Sequence, residues 1–195
     1  MFTGIVEQVG TIDAITDTKN GRRVVIAAPG IDDLSIGASV AVNGVCLTAV
    51  ATGDDTVSVD LIPETLQRSN LGSLVEESLV NLERPMPASG RFDGHIVQGH
   101  VDGLGTVKEI GPDADGGVLM TIAVPDALRR YLVEKGSVTI DGVSLTVASL
   151  TESGFDVALI PHTLEVTTLG LRAAGDTVNL EMDVLAKYVE RLLKE

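Results

Sequence analysis

The 195 residues contain one cysteine, Cys46, so no disulfide can form within the chain, which suits a reducing compartment. Only three histidines accompany it, too few donors to suggest a His/Cys metal centre, and no metal is expected. Tryptophan is absent and aromatic residues make up 3%, so any core has to be built from Val, Leu, Ile and Ala. Positive charge is also scarce, with 14 Lys and Arg against 28 Asp and Glu and a net charge of −14. Such a chain repels a phosphate backbone, and no local basic cluster offsets that charge; this argues against nucleic-acid binding. No apolar run approaches the length of a membrane span. The first ten residues, MFTGIVEQVG, hold neither a basic nor a long apolar stretch, and the first lysine is Lys19. Neither a signal peptide nor membrane association is expected, and the reading is a cytosolic protein.

What the chain does have is repetition. Val59 to Gly72 reads VDLIPETLQRSNLG and Val157 to Gly170 reads VALIPHTLEVTTLG, with eight of fourteen positions identical at an offset of 98. The same offset pairs SVAVNGVCLT, from Ser39, with SVTIDGVSLT, from Ser137, and Val80–Glu83 with Val178–Glu181. Nearer the start the offset is 95, pairing Gly4, Val6, Gly10 and Thr11 with Gly99, Val101, Gly105 and Thr106. Ordered blocks of this kind are the mark of a tandem duplication. RPMPASGRFD, from Arg84 to Asp93, interrupts regular structure between the copies, and the expected units are residues 1–92 and 93–183.

Within a copy the apolar segments are short and separated by turn signals. Residues 5–15, 23–28, 39–42, 47–51, 57–61 and 80–82 read as strands, punctuated by pairs such as Asn43-Gly44 and Gly53-Asp54. About six strands in under 100 residues predict a small barrel. The expected fold is all-β: two tandem six-stranded Greek-key β-barrels, with short connecting helices near Ile31–Leu34 and Pro125–Val133. Beyond Asp183, a suitable N-cap, VLAKYVERLLKE is composed of helix formers. It places Leu185, Tyr188, Val189 and Leu192 on one face. A C-terminal helix over 184–195 is expected, its stripe docking on its own barrel or on other subunits.

The copies agree in scaffold and differ at a few polar positions. Cys46 faces Ser144, Asn43 faces Asp141, Ile5 faces His100, and Glu64 faces His162. Cys46 reads either as a small buried hydrophobe, as a ligand contact, or as a nucleophile, though no His or Asn partner for a nucleophile is evident from spacing. His95 and His100, five apart, point to opposite faces of any extended segment; His95 reads as a ring stacked on a turn. Asp141-Gly142 reads as a turn or as a functional carboxylate. Cys46 and Thr48, and their counterparts Ser144 and Thr146, alternate onto one strand face, which suggests a pair of equivalent pockets. No phosphate loop, Ser-His-Asp order or dinucleotide fingerprint is present.

MFTGIV, NGVCLT, LIPETL, GHIVQGHVDG, IDGVSLT and LIPHTLEVTTLG, in this order, resemble the riboflavin synthase family of the two-domain, lumazine-binding type. The resemblance spans nearly the whole chain. It implies dismutation of two 6,7-dimethyl-8-ribityllumazine molecules by four-carbon transfer, no cofactor, a homotrimer, and active sites between the first barrel of one subunit and the second of its neighbour. Association with lumazine synthase is left open. Carried over by motif, the first pocket would use Gly4, Ile5, Val6, Ser39, Cys46, Leu47 and Thr48, together with Asp60, Leu61, Ile62, Pro63, Glu64 and Thr65. The second would use Gly99, His100, Val101, Lys135, Asp141, Ser144, Leu145 and Thr146, together with Ile160, Pro161, His162, Thr163, Leu164 and Glu165. Within that set His100 and Ser144 would assist proton removal from the C7 methyl of one lumazine. Ser39, Cys46 and Thr48 would hold or activate the partner, Thr146 would stand with Ser144, and Asp141 would orient its neighbours. Two other readings stand beside this one: a non-catalytic lumazine or flavin carrier on the same scaffold, and a duplicated interaction module without ligand.

Overall fold

The structure is a computed structural model describing residues 1–31, 33–113 and 116–193. The first barrel comprises β1 (Gln8–Thr18), β2 (Gly21–Ala27), β3 (Ser39–Val42), β4 (Val45–Gly53), β5 (Thr56–Leu61) and β6 (Leu79–Glu83), with helix α1 (Pro63–Arg68) between the last two. The second comprises β7 (Gly103–Pro112), β8 (Val118–Ala123), β9 (Ser137–Ile140), β10 (Val143–Leu150), β11 (Gly154–Leu159) and β12 (Thr177–Met182), with α2 (Asp126–Arg129) and α3 (Pro161–Val166). Helix α4 (Val184–Leu193) follows. Each barrel is closed, in the order β1-β2-β5-β4-β3-β6 and its equivalent in the second copy. This is the expected fold class.

Branched aliphatic residues, mostly β-branched, at alternate positions make these strands. In β2, Val24 and Ile26 point inward, and in β5 Val57, Val59 and Leu61 do so, all 2% exposed or less. Each such side chain contributes about 1.5–3 kcal/mol when buried. The two barrels keep separate cores. Closing six strands requires bends, and the register shifts fall at matching places: Ile12/Ala14 in β1 and Val107/Glu109 in β7, Ala49/Ala51 in β4 and Val147/Ser149 in β10. Duplication preserved the curvature along with the sequence.

The strand boundaries differ most at the start, where β1 begins at Gln8 rather than residue 5, because Thr3 to Ile5 leave the barrel. Of the helix expected at 31–34, Asp32 lies outside the described residues, and Ile31, Asp33 and Leu34 are not helical. The chain there is a loop whose Ile31 amide donates to the Ala28 carbonyl at 3.1 Å. α1 and α3 arise where Pro63 and Pro161 occupy the first helical turn, a position that has no backbone donor to lose. Lys194 and Glu195 of the expected C-terminal helix lie outside the described residues.

The barrels meet through two hairpin tips. Asn43-Gly44 joins β3 to β4 and Asp141-Gly142 joins β9 to β10, with all four residues at positive φ, the geometry of a tight hairpin that Asn-Gly and Asp-Gly accept. The tips touch so closely that a Cβ on Gly44 would lie 2.6 Å from the Gly142 nitrogen. Around them lies a buried polar seam of reciprocal bonds. Asn81 Nδ2 donates to the Asp141 carbonyl and Asn179 Nδ2 to the Asn43 carbonyl, both at 2.8 Å. The Thr168 amide donates to Asn81 Oδ1 at 2.8 Å, and the Asn70 amide to Asn179 Oδ1 at 2.7 Å. The seam therefore has an approximate two-fold relation, broken where Asp141 pairs with Arg172 at 2.6 Å.

Candidate active site

Two short crossing segments build the candidate sites, and each serves the barrel it does not belong to. The segment before β1 leaves its own barrel so that the Gly4 carbonyl accepts the Ser144 amide of β10 at 2.7 Å. The segment before β7 does the reverse, its Gly99 carbonyl accepting the Cys46 amide of β4 at 2.8 Å. Val6 accordingly packs against the second core and Val101 against the first. Phe2 and Val97 bridge where the segments pass each other, forming a small apolar knot with Ala41, against which Cys46 rests. The grouping expected from the motifs is thus crossed: Gly4, Ile5 and Val6 lie with Ser144, while Gly99, His100 and Val101 lie with Cys46.

Glycine is required at both crossings. Gly4 has φ +75 and Gly99 φ +78, and a Cβ at either would fall within 2.6 Å of the Cβ of Ser144 or Cys46. Buried carboxylates hold the segments. Glu83 of β6 accepts the Thr3 amide at 2.6 Å and the Gly4 amide at 3.0 Å. Glu181 of β12 accepts the amides of Gln98, Gly99 and His100 at 2.7, 2.9 and 3.0 Å. Burial pushes both carboxyls above the ordinary glutamate range, and the amide donors oppose that rise.

On the first barrel, β4 turns Leu47 into the core and Cys46 and Thr48 outward, with Ser39 directly across from Thr48 in the ladder. The exposed Ile62 begins α1, which carries Pro63, Glu64 and the half-buried Thr65. Glu64, Gln67 and Arg68 share a groove with Asp102, Gly103 and Leu104, just beyond the crossing segment. Leu61 is a core residue, and Asp60 is held by both nitrogens of an Arg23 fork at 2.7 and 2.8 Å. On the second barrel Ser144 and Thr146 point outward and Leu145 leans on the core. Lys135 reaches the Ala148 carbonyl on the same strand at 3.3 Å. Ile160 begins α3, with Pro161 and His162 exposed in its first turn, Thr163 and Leu164 half-buried, and Glu165 exposed. His100 is exposed beside Cys46, and its backbone rather than its ring is fixed.

Asp141 is not brought to either surface. It is 0% exposed, and its carboxylate accepts from Asn70 Nδ2, the Asn179 amide and Arg172 within the seam. His95, by contrast, sits at the second site. Its Nδ1 lies 2.7 Å from Ser144 Oγ and its Nε2 3.2 Å from Thr139 Oγ1. Nothing corresponds to it in the first copy, because position 95 aligns ahead of Met1. That mismatch was the available signal. Burial lowers its pKa from 6.5, with nearby Asp183 opposing, so the ring is neutral at pH 7.

A histidine depressed in the folded state contributes stability that is fully present above pH 6.5 and is lost as pH falls through that value towards the folded pKa. His95→Gln should remove this component. In urea denaturation between about pH 5 and pH 8, the wild type minus variant difference is expected to fall on acidification. A flat difference would mean that His95 is not held neutral.

Closed barrels in tandem, each with a matched outward polar pair on one strand and a crossing segment from the other, define a duplicated ligand-binding barrel protein. The family model of the lumazine binding domain matches residues 3–85 and 98–183. The riboflavin synthase of Actinobacillus pleuropneumoniae is 46% identical, covering 99% of this chain and 90% of that one. That of Mycobacterium bovis is 48% identical, covering 100% and 98%, and that of Bacillus subtilis 41%, covering 99% and 90%. The chain belongs to the riboflavin synthase family. Among solved structures, LumP complexed with riboflavin superposes with a TM-score of 0.86 at 26% identity, covering 93% of this chain and 99% of that one. LumP complexed with 6,7-dimethyl-8-(1'-D-ribityl) lumazine superposes at 0.83 and 25% over the same shares.

Proposed function

We propose that the protein converts two molecules of 6,7-dimethyl-8-ribityllumazine into riboflavin and 5-amino-6-ribitylaminouracil by moving a four-carbon unit from one to the other. The observation that carries this reading is the pair of matched outward surfaces, Cys46/Thr48 and Ser144/Thr146. A reaction between two identical substrates needs two similar sites with unequal surroundings: the Ser144 hydroxyl lies 2.7 Å from the His95 ring, whereas the first surface carries the Cys46 thiol with His100 exposed next to it. The two products together contain the atoms of two substrates, so the overall reaction balances without an oxidant, reductant or group donor.

The surfaces bind flat rings against exposed apolar residues, Ile62 at 57% and Ile160 at 61%. Holding two rings in a fixed relation replaces a bimolecular encounter and supplies much of the acceleration. Ser144, with His95, assists proton removal from the C7 methyl of one lumazine. His100, Ser39, Cys46 and Thr48 hold the other, whose C7 accepts a nucleophile. Because His100 and Ser144 lie on different barrels, they meet one substrate pair when the first barrel of one copy faces the second barrel of another. Such head-to-tail contact closes into a ring, and we take the ring to be the homotrimer. The apolar face of α4, with Leu185, Tyr188, Val189 and Leu192 all more than half exposed, is its companion contact.

The test is to mix the purified protein with 6,7-dimethyl-8-ribityllumazine alone and follow riboflavin by absorbance. Turnover is expected, and sedimentation should give three copies. The likeness to LumP keeps one other outcome in view: tight binding with no riboflavin formed would make this a carrier.

A further inference from the structure

We infer that Glu83 and Glu181 are positioning residues that act across the molecule, each setting the ligand surface of the barrel to which it does not belong. This rests on the paired-site reading above. Both side chains are buried, 5% and 3% exposed, and occupy equivalent places at the ends of β6 and β12. Neither reaches a substrate surface. Each spends its carboxylate on consecutive backbone amides, Thr3 and Gly4 in one case and Gln98 to His100 in the other. Glu83 also accepts the Thr3 hydroxyl at 2.9 Å.

The geometry beyond those amides gives the arrangement its direction. The same segments turn their carbonyls to the opposite barrel: the Gly4 carbonyl, one peptide beyond the last amide Glu83 holds, goes to Ser144, and the Gly99 carbonyl, in the same peptide unit as the His100 amide Glu181 holds, goes to Cys46. Glu181, in the second barrel, therefore fixes the segment that carries His100 and Val101 against Cys46 of the first. Glu83, in the first barrel, fixes Gly4 and Ile5 against Ser144 of the second. A carboxylate can accept all these amides at once because it has two acceptor oxygens and no donor. A glutamine of the same shape has one acceptor oxygen, and its NH₂ would face an N–H.

Glu181→Gln should thus let the segment drift from Cys46, and a displacement of order 1 Å costs up to about 100-fold in turnover. Position and plain destabilisation are separated by double-mutant cycles, since only groups that share an interaction are non-additive. The full chain is used throughout, with Cys46→Ala and Ser144→Ala as probes. Glu181→Gln should be non-additive with Cys46→Ala by about tenfold or more and additive with Ser144→Ala. Glu83→Gln should show the reverse.

The cycles are read twice, as kcat/KM and as the affinity for 6,7-dimethyl-8-ribityllumazine. A protein that binds without turnover would then sink the enzymatic reading, while the affinity cycles would still decide between coupling and additivity. Glu181→Asp, which keeps both acceptors on a shorter stem, serves if the glutamine variant does not fold. Coupling of Glu181 to Ser144 instead of Cys46, or additivity with both, would overturn the inference.

Discussion

Replacing Asp141 by alanine lowers the stability of the protein by about 3–5 kcal/mol, the usual cost of removing one partner from a buried ion pair. The loss is measured by chemical denaturation. The carboxylate is the acceptor for Arg172, Asn70 and the Asn179 amide. Without it a guanidinium with only 20% of its side chain exposed is stranded. Its Nε is already buried without a partner among the described residues. The first copy shows what the position tolerates, because Asn43 and Leu74 stand where the second has Asp141 and Arg172. The double variant Asp141→Asn, Arg172→Leu rebuilds that pairing and should recover most of the lost stability, since exchanging a buried ion pair for well-packed neutral residues is often close to neutral. An Asp141→Ala protein that kept its stability and lost only turnover would return Asp141 to the substrate.

Gly99→Ala is expected to reduce kcat/KM by about 100-fold or more while leaving the second barrel intact. The new Cβ would lie 2.5 Å from the Cβ of Cys46 and 2.8 Å from its nitrogen, at a φ of +78 that alanine resists. The segment has to withdraw, and the bond from the Cys46 amide to the Gly99 carbonyl goes with it. Gly111→Ala is the control, because a Cβ there meets nothing within 4 Å. Should Gly99→Ala turn over as the wild type does, the crossing segment would be only a tether.

The contrast between those two positions shows what the sequence carried. The barrels were legible because their strands are local: alternation in β2 and β5, the Asn-Gly turn, and a repeat that confirmed each strand by its copy. β3 was read to the residue for these reasons. α1 and α3 were missed because six-residue helices have almost no periodicity, and Pro63 and Pro161 read equally well as strand ends. The role of Asp141 was hidden differently. Its Asp-Gly turn is a local signal, but its partners Asn70, Arg172 and Asn179 are 31 to 71 residues away, and no motif announces them. The crossing is the plainest case. Repeats align Gly4 with Gly99, yet an alignment is blind to which of two equivalent barrels a segment touches, and nearness in sequence pointed to the wrong one. His95 lay outside the repeat and so outside the comparison that found the other site residues.

Covalent fusion of the two barrels has a consequence at the seam. In a dimer of separate identical barrels, whatever stands at the hairpin tip stands there twice. An aspartate would then bring two carboxylates into one buried interface, where neither could easily stay charged. Joined in one polypeptide, the halves are released from that constraint: Asn43 stays neutral while Asp141 takes a charge and Arg172 arises to meet it. The same release lets one surface carry a thiol and the other a hydroxyl with its own imidazole. Linkage in a single gene is what allows two nearly identical barrels to treat two identical molecules differently.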